Sequence, residues 1–193
     1  MIESPGYIQP RVQIEIGCRS LREPFEDRSI QSIVDSTYPK ADFKQDPFTI
    51  PTVLPKRTFL EKIFLLHEEF QRPKGKIRVD RLSRHLYDIY QISKTDIADK
   101  ALEDKELYEA IVKHRHRYTR LGGVDYNLHQ PQSIVFLPSE ELTPAWKADY
   151  VKMQEQMIHG DSPKYEDLIE AMAVLKEKIN SVDWKMETEF PMA

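Results

Sequence analysis

Two neighbouring stretches, RTFLEKIFLLHEEFQRP over 57–73 and RVDRLSRHLYDIYQI over 78–92, constrain this chain more than any other part of it. In the first, Phe59, Ile63, Leu66 and Phe70 recur at three- and four-residue steps, the spacing of one helical face. Thr58 and Glu61 have the form of a capping box at its start, and Arg72-Pro73 ends it, because proline disfavours helical geometry in the residue before it. In the second, Val79, Leu82, Leu86 and Ile89 make the apolar side, while Arg81, Arg84 and Asp88 share the opposite one. Helices of this kind need partners for their apolar stripes, so the spacing predicts a helix-on-helix core. Lys62 lies beside the first stripe, where a lysine either snorkels to water or lines a pocket wall. Arg84 and Asp88 stand four residues apart; as a solvated ion pair that spacing is worth only about 0.3–0.5 kcal/mol.

The remaining chain must supply those partners. At 193 residues, with a hydrophobic fraction of 40% and a charged fraction of 31%, it suits one domain or a little more. The net charge of -4 gives no global attraction to nucleic acid, so any such attraction is local. Cys18 is the only cysteine, which excludes an intramolecular disulfide and a cysteine-based metal cluster. With no apolar signal core at the start and no run able to span a bilayer, the expected location is the cytoplasm, away from membranes.

Residues 7–17 alternate, Val12, Ile14 and Ile16 against Arg11, Gln13 and Glu15, and predict a half-buried strand. Its only expected partner is the proline-interrupted stretch 47–54, with a short helix over Ser29–Asp35 between them. Beyond 93, Thr95–Tyr118 predicts a third long helix, 133–137 a short strand or extended segment, and Thr143-Pro144 and Ser162-Pro163 two further helix starts. Trp146, Tyr150, Met153 and Met157 form a Met and aromatic stripe that belongs to a core. The charged tail from Asp183 is expected to fray.

Chemistry is sparse. The chain has no glycine-rich phosphate loop, no His/Glu zinc signature and no nucleophile elbow. The run Lys113–Arg120, KHRHRYTR, closes the third helix. Cations suit a helix C-terminus, but their density also suits phosphate contacts, which makes Lys113, Arg115, Arg117 and Arg120 candidates for RNA binding. His114 and His116, two apart, splay on a helix and are not read as a metal pair.

The segments YIQPRVQIEIGCRS, LPKRTFLEKIFLLHEEFQRP, SRHLYDIYQI and LTPAWKADYVKMQEQMIHGDSPKYEDLIEAM, in that order, resemble the AbiEii/AbiGii toxin family of nucleotidyltransferases, bacterial enzymes with a polymerase-β-like catalytic fold. The resemblance covers almost the whole chain. It implies an α+β protein, predominantly a helical bundle, with a small remnant of the nucleotidyltransferase sheet over 1–54 and a helical domain over 55–193. It further implies that Glu15 is the third active-site carboxylate and a metal ligand, that Lys62 contacts the nucleotide phosphates with Arg81 and Arg84 nearby, and that Asp88 is the late catalytic-site aspartate. Mg²⁺, an NTP, an RNA acceptor such as tRNA and an antitoxin follow as expected cofactor, substrate and partners. Family members begin with a GG[ST] segment and a D-x-D pair that bridge two metal ions; neither occurs here. The chain is therefore expected to correspond to the portion after them. That leaves two expectations: a nucleotidyltransferase toxin, or a non-catalytic helical module or split-enzyme half that binds RNA, an antitoxin or a catalytic partner.

Overall fold

The computed structural model describes residues 24–191 together with Gly6, Ile14 and Ile16. Glu15 and most of the strand expected over 7–17 lie outside the described residues. The fold is α+β and mostly helical.

Strands β1 (Phe25–Ile30) and β2 (Phe48–Val53) pair antiparallel, with Phe25 opposite Val53 and Ile30 opposite Phe48. Among the described residues this sheet has two strands, so each has an open edge, and Pro51 sits in β2 without breaking an interior ladder. The short helix between them, α1 (Ile33–Thr37), begins four residues later than its spacing suggests, because Ser29 and Ile30 are taken up by β1. Ser32 caps it by accepting the Asp35 N–H at 3.0 Å.

The helical body starts with α2 (Pro55–Phe70), which begins before the supposed capping box. Pro55 occupies its first turn, where a missing N–H costs nothing. Thr58 is therefore interior, and Glu61 accepts from Arg57 Nε at 2.9 Å instead of reaching back to a cap. Helix α3 (Ser83–Ser93) follows a tight loop whose closure depends on Glu69. That buried carboxylate accepts from the Arg78 N–H at 2.7 Å and from the Arg78 and Arg72 guanidiniums. Burial pushes its pKa up, but those donors outweigh it and hold it below the usual carboxylate range.

The long helix expected over 95–118 is two helices, α4 (Ile97–Glu103) and α5 (Lys105–Tyr118). Asp104 makes the break: it leaves helical geometry, caps α5 by accepting the Leu107 N–H at 3.0 Å, and pairs with Lys56. Residues 133–137 form no ladder. A 3-10 turn over Pro131–Ser133 leads into extended chain that alternates buried Ile134 and Phe136 with exposed Val135. Its polar groups are met by side chains, Asn180 on the Ile134 carbonyl and His67 on the Val135 N–H, so it keeps strand-like alternation without a strand neighbour.

Helices α6 (Thr143–Met157) and α7 (Tyr165–Asn180) complete the body, turning at Gly160, whose φ of 94° suits glycine alone. Trp146, Tyr150 and Met153 are buried as core; Met157 is not. From Asp183 to Phe190 the tail is held against the body instead of fraying. Gln130 clamps the backbone of Met186 through both amide atoms, Asn127 does the same to Phe190, and Glu109 accepts from Glu187 and Thr188. Met186 and Phe190 are buried beneath this strap, and the Trp184 indole donates to the Leu102 carbonyl. Among the described residues the buried apolar side chains lie from Phe59 onward, none in the hairpin. Among the described residues no helix is long and apolar enough to cross a membrane.

Candidate functional site

Lys62 and Asp88, 26 residues apart, meet between α2 and α3. Lys62 Nζ donates to Asp88 Oδ2 at 2.6 Å, with the lysine mostly buried and the aspartate 42% exposed. The aspartate's ion-pair partner is thus Lys62, not Arg84 one turn back. Helix α2 buries Phe59, Ile63 and Leu66 on one side, which leaves Lys62 at the margin of that stripe and directs its stem along the crevice to α3.

The pair forms one wall of a cleft of about 410 Å³. Arg84, His85 and Tyr87 of α3 extend that wall, and Met153, Met157 and Ile158 at the end of α6 close the other side. Burial, then the charges of Lys62 and Arg84, pull the His85 imidazole down to about 4, so it is neutral near pH 7. The cleft therefore presents two cations, one carboxylate and a neutral ring against an apolar face. The lysine and arginine bring positive charge to one cleft, and the aspartate holds the lysine ammonium in place.

Arg81 does not reach this lining. It precedes α3, at φ 60°, and its N–H donates to Asp149 Oδ1 at 2.8 Å. Asp149 also takes the Ser83 N–H at 3.0 Å and the Ser83 hydroxyl at 2.5 Å. A carboxylate from α6 thus caps the first turn of α3, whose own N-cap residue, Leu82, offers no side-chain bond. Asp149 fixes the start of the helix that carries Arg84, His85 and Asp88. Its signal was in the sequence: it sits three residues after Trp146 and four before Met153, a carboxylate on a buried helical face.

The basic run splits. Lys113, Arg117 and Arg120 stay on the surface at the end of α5, Lys113 paired with Glu109 at 3.3 Å and Arg117 over the Tyr118 ring. Arg115 departs from the expectation of an RNA contact. It turns inward and binds Glu68 at 2.7 and 2.6 Å, a fork matched to a fully buried carboxylate. His129 Nε2 stands 3.4 Å from the same carboxylate, and His67 packs edge-on to His129 at 4.7 Å. Burial pushes Glu68 up, yet the Arg115 bonds and His129 bring it below its ordinary value. His67 is driven down to about 3, by burial and then by His129. Its Nδ1 accepts the Val135 N–H at 3.1 Å, which fixes a neutral ring.

The cleft thus sets a paired lysine and an arginine against an apolar wall. The chain belongs to the nucleotidyl transferase AbiEii toxin family of type IV toxin–antitoxin systems, whose family model matches residues 1–187. No curated protein and no solved structure matches it. Membership implies a nucleotide substrate and an antitoxin partner.

Nucleotidyl transfer of this family is expected to use Mg²⁺. Among the described residues no three carboxylate, imidazole or thiolate groups gather to hold a metal ion. Among the described residues Asp88 is the one carboxylate lining the cleft, and Lys62 occupies its Oδ2. The described residues do not make a metal site, and Glu15, the expected ligand, lies outside them.

Proposed function

We propose that this chain is a nucleotidyltransferase toxin that takes a nucleoside triphosphate in the Lys62–Asp88 cleft and passes nucleotides to an RNA acceptor, tRNA being the expected one. The observation that carries this reading is the 2.6 Å Lys62–Asp88 pair on the wall of a 410 Å³ cleft, within the size range of small-molecule sites. Lys62 offers a compact point charge to the triphosphate, and Arg84 a planar fork to a second phosphate. Asp88 keeps the lysine oriented between ligands and stands at the reacting end as the catalytic carboxylate. Glu15 is the proposed metal carboxylate. The exposed cations Lys113, Arg117 and Arg120 contact RNA phosphates, so RNA affinity falls as salt rises.

The test is transfer by the purified chain with Mg²⁺, each labelled NTP in turn and total tRNA, beside Asp88→Asn. Label on RNA that disappears in the variant is the expected result. Absence of transfer by the folded chain contradicts catalysis by this chain alone.

One observation favours a second reading. The hairpin holds Phe48 at 60% and Ile33 at 85% exposure, with Val34 and Ile50 also exposed. Apolar side chains gathered outside a core mark a surface for association. Under this reading 1–54 docks an antitoxin or a catalytic partner, and the helical body over 55–193 is a binding half. Transfer that appears only when such a partner is added distinguishes it.

A further inference from the structure

The cleft is divided by chemistry as well as by helix. Its charges come from α2 and α3; α6 contributes only Met153, Met157 and Ile158. Triphosphate chemistry accounts for Lys62 and Arg84. It does not account for the apolar wall that faces them.

That wall is not simply the end of the core. Trp146, Tyr150 and Met153 share the helical spacing of Met157 and are 0–2% exposed, whereas Met157 is 40% exposed and faces the cleft. Beyond it the chain leaves the helix at Ile158, which is partly buried against the core. Tyr87 and the neutral ring of His85 line the same cleft from α3. Asp149 ties α6 to the start of α3 directly, through the Arg81 and Ser83 N–H groups, so the helix bearing the apolar wall is joined to the helix bearing Arg84.

We propose that the last turn of α6 is the nucleobase wall of this site: Met157 and Ile158, facing Tyr87 and His85, receive the flat face of the base while Lys62 and Arg84 hold the phosphates. The inference rests on the cleft being the nucleotide site and adds where the base lies. Methionine suits the task, being unbranched and polarisable and able to follow a planar ring. Base stacking on such surfaces contributes affinity that a bare polyphosphate cannot gain.

The experiment is calorimetric titration of the full chain with ATP, GTP, CTP, UTP and inorganic tripolyphosphate, repeated on Met157→Ala and Met157→Trp. The unsubstituted chain is expected to bind at least one NTP about tenfold more tightly than tripolyphosphate. Met157→Ala is expected to bring that ratio towards one while tripolyphosphate affinity stays, and Met157→Trp to widen it. An unchanged ratio in both variants overturns the base wall, as does an NTP bound no better than tripolyphosphate by the unsubstituted chain. Equal loss of both ligands in a folded Met157→Ala also overturns it. If the unsubstituted chain binds neither ligand, the phosphate site falls as well, which separates failure of the wall from failure of the cleft.

Discussion

Two of the ion pairs on helix α2 use similar residues in opposite ways. Near its N-terminal half, Lys62 reaches a half-exposed aspartate at the lip of a cleft. Two turns on, Glu68 is fully buried and answered by both arms of Arg115. A charge in the second position cannot be released without leaving its partner uncompensated in low dielectric. A charge in the first can exchange one anion for another with water present throughout. Burial, rather than residue type, separates the pair that can serve a ligand from the pair that holds the fold.

Breaking the buried pair gives the largest expected effect. Arg115→Met leaves Glu68 without its fork and is expected to cost about 3–5 kcal/mol in denaturant unfolding. A loss below about 1 kcal/mol would place Arg115 with the exposed cations and restore it to the RNA surface. Next comes the cap across helices. Asp149→Ala strips the Arg81 and Ser83 N–H groups of their acceptor and is expected to cost about 1–3 kcal/mol. It should weaken NTP binding too, because α3 loses its fixed start, whereas a change in stability with unaltered binding would detach Asp149 from the site.

Acid sharpens the same contrast. His67 has a folded pKa of about 3 against 6.5 when unfolded, so between those values the unfolded chain binds more protons. The stability from keeping the ring neutral is complete above pH 6.5 and is lost as pH falls towards 3. His85, at about 4, adds to the loss over the upper part of that window. His67→Asn keeps an acceptor near the Val135 N–H but cannot titrate. Its melting temperature is expected to fall less steeply from pH 6.5 to 4 than that of the unsubstituted chain. Parallel slopes would mean that His67 is not a source of the acid sensitivity.

Much of this was legible before the structure. The helical stripes around Phe59, Leu66, Leu86 and Ile89 are periodic within each segment, and Lys62 and Asp88 stand out as charges beside them. What escaped depends on partners far along the chain. Nothing near Arg115 announces that Glu68, 47 residues away, will draw it inward. Nothing in the charged tail announces that Asn127 and Gln130 will grip its backbone, since an amide clamp reads main chain and leaves no pattern in the bound sequence. The break between α4 and α5 is local, and Asp104 three residues before Leu107 was a cap signal hidden inside a long run that looked continuous. The spacing of Met157 from Met153 puts it on the core stripe, but its exposure is set by where α6 ends.

The central claim is that the Lys62–Asp88 cleft binds the nucleotide, and Lys62→Met tests it most directly. The substitution keeps the buried stem and removes the charge, so its stability cost is expected to stay within about 1 kcal/mol. NTP titrated into the folded variant, beside the unsubstituted chain, is the measurement. Loss of most of the NTP affinity with the fold retained is the predicted result. Equal affinity in the two proteins would contradict the account and move the nucleotide away from this cleft.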